Sequence, residues 1–253
     1  MAKIVAFSNQ KGGVGKTTSC INVAAAVAKR GRNVLLIDMD PQGNSTTGVN
    51  VSKRSAPHNI YEVMLGECSA NEALVRTNYK NLWIIPSTLA LAGAEHDLFE
   101  MDSRERKLRE VIEPILPLFD YVFIDCPPSL GMITVAVLTA SDGVVIPMQC
   151  EFYSMEGLSQ LLVTIKKVRQ HYNEKLEIVG ILLTMYNGRL TQTKQVVDDL
   201  KRYYADKLFS TPITRSVKVS EAPSYGAPIC YYDPYGKATL EYADVAKELM
   251  LRI

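Results

Sequence analysis

Residues 4–18 read IVAFSNQKGGVGKTT, and this stretch decides the fold of the chain. An apolar run comes first, a loop with three glycines follows, and a helical pattern then runs from Lys16 to Lys29. Glycines let the backbone N–H groups of a loop turn inward around a phosphate, and the following helix adds the positive end of its dipole. A strand, a glycine-rich loop ending in Gly-Lys-Thr and a helix, in this order, predict a P-loop.

The last side chains of this loop are of the kinds that bind the phosphates and the metal of a nucleotide. Lys16 is expected to reach the β- and γ-phosphates, and the hydroxyl of Thr17 to bind Mg²⁺. Thr18 follows closely enough to touch the α-phosphate. The expected cofactor-binding residues of the loop are therefore Gly12, Gly13, Val14, Gly15, Lys16, Thr17 and Thr18.

Short apolar runs alternate with helical patterns along the rest of the chain. The runs are rich in Ile, Val and Leu with little polar alternation, which is typical of strands that are covered on both faces. We therefore predict an α/β fold with a doubly wound, mostly parallel sheet and helices on both faces. No linker or repeat interrupts the order, so residues 1–253 are expected to form a single domain. The predicted strands are residues 4–7, 34–37, 82–85, 121–124, 144–146 and 178–183, and the predicted helices are residues 16–29, 104–112, 155–171, 193–204 and 240–251.

Acidic side chains follow two of the predicted strands. Asp38 and Asp40 come at the end of the second run, and Asp125 comes directly after residues 121–124. Carboxylates at the C-terminal edge of a parallel sheet lie in the ligand crevice. Asp125 has the pattern of a Walker B acid and is expected to hold Mg²⁺ directly or through water. Asp38 has a simpler alternative, in which it only caps the next turn.

The loop departs from the common P-loop pattern at one position. Gln10 stands where the first glycine is usual, and a second lysine, Lys11, precedes the glycine pair. The run KGGVGKTT resembles the deviant Walker A motif of the ParA/MinD group of ATPases. That resemblance implies that Lys11 crosses a dimer interface, contacts the partner's ATP and acts in catalysis beside Lys16.

A resemblance to the ParA/Soj partitioning ATPases extends nearly from end to end. It includes IDMDPQGN at residues 37–44, DCPPSLG at residues 125–131 and SEAPS at residues 220–224. The resemblance implies that Asp40 positions and polarises the attacking water, and that Asp38 lies near the metal and the phosphates. Thr17, Asp38 and Asp125 are therefore the expected metal site.

The same resemblance implies how the adenine is held. The loop from Thr214 to Val217 is similar to the segment that packs around the base in these ATPases. Asn187, at the end of a predicted strand, is a second expected adenine contact. An ordinary connecting loop is the alternative for this segment.

The ParA/Soj resemblance also implies a cycle on DNA. An ATP-bound homodimer would bind double-stranded DNA without sequence preference, and a ParB-like partner would stimulate hydrolysis. The net charge of +1 predicts neither binding nor its absence, so a local basic surface must contact the phosphates. Arg189 matches a DNA-contacting arginine position of such proteins, and Lys218 stands where they often have arginine. Arg215 is a further candidate.

Composition indicates where such a protein would work. No apolar run reaches the length of a membrane-spanning helix, and the start of the chain lacks a signal-peptide pattern. Five cysteines without paired spacing favour reduced thiols in a cytosol. We expect a cytoplasmic, nucleoid-associated protein that does not use a membrane.

Two other functions fit the same nucleotide motifs. One is an ATP-switched positioning or regulatory scaffold that does not use DNA. The other is a metabolic enzyme of the same superfamily with a pocket for a small-molecule acceptor. No residue stands out as an arginine finger or a strong general base, so the sequence predicts slow intrinsic ATP hydrolysis.

Overall fold

A computed structural model describes residues 2–99, 101–151 and 154–253 of the chain. Seven strands form one sheet in the order β3-β4-β2-β5-β1-β6-β7. Every pairing between these strands is parallel except that of β3 with β4, at one edge. The strands are β1 (Lys3–Phe7), β2 (Val34–Asp38), β3 (Val75–Arg76), β4 (Leu82–Ile85), β5 (Tyr121–Asp125), β6 (Gly143–Gln149) and β7 (Glu177–Thr184).

Helices cover both faces of this sheet, as the sequence predicts. Side chains alternate along β1, so that Ile4 belongs to the core on one face and Val5 to the core on the other. The doubly wound α/β class is therefore confirmed. The helices are α1 (Lys16–Lys29), α2 (Asn44–Gly48), α3 (Ile60–Leu65), α4 (Ala94–Phe99), α5 (Lys107–Ile112), α6 (Met132–Ala140), α7 (Ser154–His171), α8 (Thr191–Tyr204), α9 (Val217–Glu221), α10 (Ile229–Tyr232) and α11 (Lys237–Arg252).

Burial explains why some elements are clear in the sequence and others are not. Helix α1 is predicted with its true ends, but α6 is not predicted at all. The sequence of α6, MITVAVLTA, is apolar almost throughout and mostly buried, so it lacks the polar face that marks a surface helix. Strand β3 is only two residues long and carries no readable period. None of the helices in the described ranges is long and apolar enough to cross a membrane.

The sheet brings the ends of three strands together. Phe7, the last residue of β1, pairs in register with Asp125, the last residue of β5. Asp38, the last residue of β2, pairs with Asp125 from the other side. The loop after β1 and the acidic ends of β2 and β5 therefore meet at the C-terminal edge of the sheet, where α/β proteins bind ligands.

One glycine turn packs against the segment that follows α2. Gly226 has a φ of 59°, and a Cβ atom there would lie 2.8 Å from the Cα atom of Asn50. The hydroxyl of Tyr79 also donates a hydrogen bond to the carbonyl of Gly226 at 2.6 Å. Gly66, at the end of α3, has a φ of 79°, but a Cβ atom there would meet nothing within 4 Å.

Gly226→Ala is expected to lower the free energy of unfolding by about 2–4 kcal/mol, because it adds both left-handed strain and a backbone clash. Gly66→Ala serves as the matched control and should cost only about 1 kcal/mol, since it adds the strain alone. Urea denaturation followed by circular dichroism measures both values. Equal losses for the two variants would show that the contact with Asn50 does not constrain this turn.

Candidate nucleotide-binding site

The loop between β1 and α1 has the backbone shape of an anion cradle. Gly13 has a φ of 73° and Gly15 a φ of 84°, a conformation that favours glycine. Gly15 is the N-cap of α1. A Cβ atom at Gly12 or Gly13 would meet nothing within 4 Å, so the space above these residues is open. Open space, a helix N-terminus and adjacent glycines together form a phosphate-binding geometry.

Two neighbouring strands brace this loop from outside. The hydroxyl of Thr184, the last residue of β7, donates to the carbonyl of Val14 at 2.7 Å. The side-chain amide of Asn9 donates to the carbonyl of Pro147 in β6 at 2.7 Å, while its oxygen accepts from the Lys11 N–H at 3.0 Å. These side chains are buried, and their hydrogen bonds fix the shape of the loop.

Lys16 spans the loop from its far end. Its ammonium group donates to the carbonyl of Lys11 at 3.0 Å, and the residue is buried. Burial lowers the pKa of Lys16, while Asp125 and Asp40 act in the opposite direction. The structure thus brings Lys16 together with two of the carboxylates that the sequence assigns to the site.

Asp38 and Asp125 form a buried acidic pair. Both are fully buried and are register partners on adjacent strands. Burial raises the pKa of Asp38 to about 6, although Thr46 donates to it through its N–H at 2.8 Å and its hydroxyl at 2.7 Å. Burial, and then the charge of Asp38, raise the pKa of Asp125 to about 8.

The oxygen atoms around Asp125 fit a magnesium ion. Ser45 donates to Oδ2 of Asp125 at 2.8 Å, whereas the buried Oδ1 has no hydrogen-bond partner in the described part of the chain. The hydroxyl of Thr17 lies near enough to lower the pKa of Asp125. Carboxylate and hydroxyl oxygens are ligands that Mg²⁺ prefers, and a cation would satisfy the unpaired atom.

The contacts of Asp38 show that it does more than end a strand. It binds the N-terminal turn of α2 through Thr46, and its Oδ1 accepts from the Asp40 N–H at 3.2 Å. Capping is thus part of its role, as the alternative interpretation proposes, but its carboxylate also lies beside Asp125. Asp40 is buried, and its Oδ1 accepts from the Gln42 N–H at 2.9 Å. That hydrogen bond fixes the Asp40 carboxylate at the strand edge.

Lys11 does not extend over its own loop. Its ammonium group contacts Oε2 of Glu151 at 2.5 Å, and the two side chains are 31% and 53% exposed. Sequence reasoning did not single out Glu151, because it lies 140 residues away in a stretch without a motif. Only the packing of the segment after β6 beside the loop reveals this contact.

A small cavity opens beside the N-terminus of α1, with a volume of about 160 Å³. Thr18 and Thr214 line it. Thr214 donates to the carboxylate of Glu241 through its N–H and through its hydroxyl, each at 2.9 Å. Gly15, Arg215, Ser216 and Ser220 also belong to motifs or segments singled out in the sequence. Sequence reasoning missed the remaining wall residues, Thr184, Met185, Ile213, Val219 and Tyr242. Tyr242 in particular lies on the last helix and belongs to no motif. The walls comprise Gly15, Thr18, Thr184, Met185, Ile213, Thr214, Arg215, Ser216, Val219, Ser220 and Tyr242.

Two expected adenine contacts lie outside this cavity. Val217 is 74% exposed, and its neighbour Val219 lines the wall instead. Asn187 lines a separate cavity of about 450 Å³ together with Glu151 and Arg215. The structure therefore brings Thr214, but neither Val217 nor Asn187, to the cavity next to Thr18.

The three expected DNA contacts are all exposed. Arg189 and Arg215 lie on neighbouring loops, because Tyr186 and Thr214 form an isolated parallel bridge between those loops. Lys218 is 3.5 Å from the carboxylate of Glu221, and its ammonium lies 5.5 Å from the centre of the Tyr232 ring.

This fold and this site define the class: a P-loop nucleotide-binding protein. Residues 2–178 match a family described as AAA domain. The chain is 47% identical to the sporulation initiation inhibitor protein Soj of Bacillus subtilis, with 98% of each chain covered. It is 44% identical to the chromosome partitioning protein ParA of Myxococcus xanthus, over all of this chain and 89% of that protein. The chain belongs to the ParA/Soj family of P-loop ATPases.

A solved structure supports the assignment of the fold and the cofactors. The chain is 36% identical to cobyrinic acid a,c-diamide synthase from Mycobacterium smegmatis, solved with bound ADP and magnesium. The TM-score is 0.85, and the match covers 98% of this chain and 93% of that one. ATP and Mg²⁺, the cofactors that the sequence predicts, are those that this family and these site residues fit.

The raised pKa values of the acidic pair predict a response to pH in the metal-free protein. The folded state keeps protons on Asp38 up to about pH 6 and on Asp125 up to about pH 8, whereas the ordinary value is 3.8. Between about pH 4 and about pH 8 the folded state therefore binds more protons than the unfolded state. The free energy of unfolding thus falls as pH rises through this range.

Asp125→Asn should remove the larger part of that slope and stabilise the metal-free protein at about pH 8 by more than about 1 kcal/mol, since it removes a buried, repelled charge. Urea denaturation in EDTA at about pH 6 and about pH 8 measures the effect. Asp244→Asn, on the exposed side of α11, is the control and should keep the wild-type slope. Stability that increases with pH in the wild type would contradict the account.

Proposed function

We propose that the protein is a partition ATPase that forms a homodimer with ATP, binds DNA non-specifically in that state and leaves it after slow hydrolysis. The position of Lys11 is the main support for this proposal. Lys11 lies beside the P-loop, but its ammonium group contacts Glu151, whereas the side chain of Lys16 extends across the loop. Membership of the ParA/Soj family supports the same proposal. A lysine that its own site leaves unused is available to the site of a second copy.

The chemistry divides among the residues of the acidic edge and the loop. Lys16 and the loop N–H groups hold the phosphates, and Thr17 and Asp125 hold Mg²⁺, with Asp38 behind them. The magnesium ion supplies neutralisation of the phosphate charge. Asp40 orients and polarises the attacking water. Because phosphoryl transfer depends on positioning and charge stabilisation, a protomer without a partner's Lys11 turns over slowly.

The adenine is assigned to the cavity of about 160 Å³ beside Thr18. Met185, Ile213 and Val219 give it apolar walls, and Thr214 supplies a polar group. A flat base needs apolar faces and a few polar contacts, and this cavity has both. Asn187 and Val217 would reach the base only after a movement of their loops.

DNA is assigned to the surface that carries Arg189 and Arg215, with Lys218 as a weaker contact because Glu221 already pairs with it. Dimerisation doubles this surface, and several phosphate contacts per dimer give steep salt dependence. A ParB-like partner stimulates hydrolysis and so ends the DNA-bound state. The protein would then act in chromosome or plasmid partitioning in the cytoplasm, on the nucleoid.

An ATP-switched positioning scaffold that does not use DNA is the second candidate. The pairing of Lys218 with Glu221, which occupies one of the expected DNA-contacting cations, favours it. The two functions share the dimer and differ only in whether the basic surface binds phosphates, so the DNA experiment below separates them.

Lys11→Ala is expected to abolish the dimer that forms with Mg²⁺ and a non-hydrolysable ATP analogue. It should also lower ATP turnover at least about 100-fold, because a cation supplied across an interface stabilises the transition state. Sedimentation velocity and phosphate release measure the two effects. Lys175→Ala, an exposed lysine on the turn before β7, should change neither. A Lys11→Ala protein that still dimerises with the analogue would remove the basis of the proposal.

Arg189→Ala combined with Arg215→Ala should weaken retention of duplex DNA by at least about tenfold, since phosphate contacts supply most of non-specific affinity. Filter binding over a salt series, with Asp40→Ala protein held in the ATP state, measures the loss. The slope of log affinity against log salt should fall by about 1 for each contact removed. Wild-type protein that dimerises but retains no DNA at low salt would favour the scaffold.

A further inference from the structure

A second group of metal-ligating side chains lies at helix α3, apart from the acidic pair of the nucleotide site. His58 precedes the helix, Glu62 lies in its first turn and Cys68 follows its last turn. One donor atom of each residue lies within 4.8 Å of the donor atoms of the other two. These atoms are an imidazole nitrogen, a carboxylate oxygen and a thiol sulfur. The proposed ATP chemistry uses none of the three side chains.

Turns at both ends of α3 bring the three side chains together. Asn59 is the N-cap, and its side-chain oxygen accepts from N–H groups of the first turn. At the other end Gly66, with a φ of 79°, reverses the chain, and the Glu67 N–H donates to the carbonyl of Glu62 at 2.9 Å. Cys68 thereby returns to the side of Glu62. Sequence spacing does not predict this proximity, because no pair of cysteines or histidines is involved.

The carboxylate of Glu62 is held in place by hydrogen bonds. Its Oε1 accepts from the side-chain amide of Asn59 at 2.7 Å, and its Oε2 lies 2.7 Å from Nδ1 of His58. Hydrogen bonds of this kind orient the carboxylates that bind metals. The side chains of His58 and Glu62 are 39% and 29% exposed, and Cys68 packs against the core while partly buried. An ion from solvent is therefore able to reach a group of ligands that is already positioned.

This group of side chains carries an excess of negative charge. Burial, and then the charges of Glu62, Glu72 and Glu67, raise the pKa of the Cys68 thiol. Within the described ranges, His58 is the only basic side chain that pairs with any of these carboxylates. A local excess of carboxylates attracts cations. A divalent cation that replaces the thiol proton would offset the negative charge.

The types of donor atom favour zinc over the hard cations. Thiolate and imidazole ligands suit Zn²⁺, whereas Mg²⁺ and Ca²⁺ take oxygen ligands. Zn²⁺ binds sulfur at about 2.3 Å and nitrogen or oxygen at about 2.0–2.2 Å, so the ligand atoms of a tetrahedral site lie roughly 3.3–3.8 Å apart. The 4.8 Å limit on the present separations is about 1 Å wider than this, a difference that side-chain rotation is able to close.

We infer that His58, Glu62 and Cys68 bind one Zn²⁺ ion beside α3, with water as the fourth ligand. The thiol proton passes to solvent on binding. The ion joins the segment before α3 to the turn after it and so stabilises a helix of only six residues. The Ile60 N–H donates to the carbonyl of Pro86 after β4 at 2.9 Å, so the ion also fastens α3 beside the sheet. The inference does not depend on the partition function.

Cobalt is the spectroscopic probe, because Co²⁺ bound to a thiolate gives a charge-transfer band in the near ultraviolet. The reduced protein is titrated with Co²⁺ in the presence of excess Mg²⁺ and a non-hydrolysable ATP analogue, which occupy the nucleotide site. The band should saturate at one Co²⁺ per chain, and Zn²⁺ should abolish it by displacing the cobalt. A protein without the band, or a band that Zn²⁺ does not remove, would overturn the inference.

Cys68→Ser should abolish the band and weaken Zn²⁺ binding by at least about tenfold, since even the hydrogen-bond partners of metal ligands contribute this much. Competition with a chromophoric chelator measures the affinity. His58→Asn should weaken it in the same way, and this variant decides the outcome if Cys68→Ser does not fold. Cys150→Ser, at the other partly buried cysteine, and His171→Asn, at an exposed histidine, are the controls and should keep the wild-type affinity. Wild-type affinity in a ligand variant, or an equal loss in its control, would refute the site.

Zinc should also raise the urea midpoint of the wild type, because a ligand that binds the folded chain stabilises it by mass action. Circular dichroism with and without Zn²⁺ measures the shift. Cys68→Ser should show a much smaller shift, and Cys150→Ser should show the full one. Equal shifts in all three proteins would place the zinc elsewhere and contradict the assignment.

Discussion

The parallel register of β2 with β5 forces Asp38 and Asp125 side by side, and the rest of the site is arranged around that constraint. Both carboxylates are fully buried, and burial raises the pKa of each. The charge of Asp38 raises the pKa of Asp125 further. Ser45 and Thr46 relieve only part of this cost, since Oδ1 of Asp125 has no partner within the described residues. Protonation or a bound cation must offset the remaining cost of burying the two carboxylates. The protein thus gives up stability at this edge in favour of affinity for a metal–phosphate ligand.

The site separates a rigid part from a part that is able to change. Asn9 and Thr184 fix the shape of the phosphate cradle through buried hydrogen bonds. Lys11 and Glu151 instead form a partly exposed ion pair at the rim. Buried contacts are costly to rearrange and exposed ion pairs are not, so the rim is the part of the site that rearranges at the lower cost.

The exposed cations near the site lie on adjoining elements. Arg189 and Arg215 lie on loops that the bridge between Tyr186 and Thr214 holds together. Helix α8 follows the first of these loops, and Lys194, Lys201 and Arg202 are exposed on it around Asp198.

The α/β class, the bounds of α1 and the P-loop residues could be predicted from the sequence, because these depend on local order along the chain. The sequence also placed Asp38 and Asp125 at strand ends, but only the sheet register showed that they are direct neighbours. Helix α6 escaped prediction because a buried apolar helix lacks polar periodicity. Glu151 and Tyr242 carry no motif, and only the tertiary structure brings such distant residues to the loop and its cavity. Local pattern fixes what each segment is, whereas contacts between distant segments decide which side chains share a site.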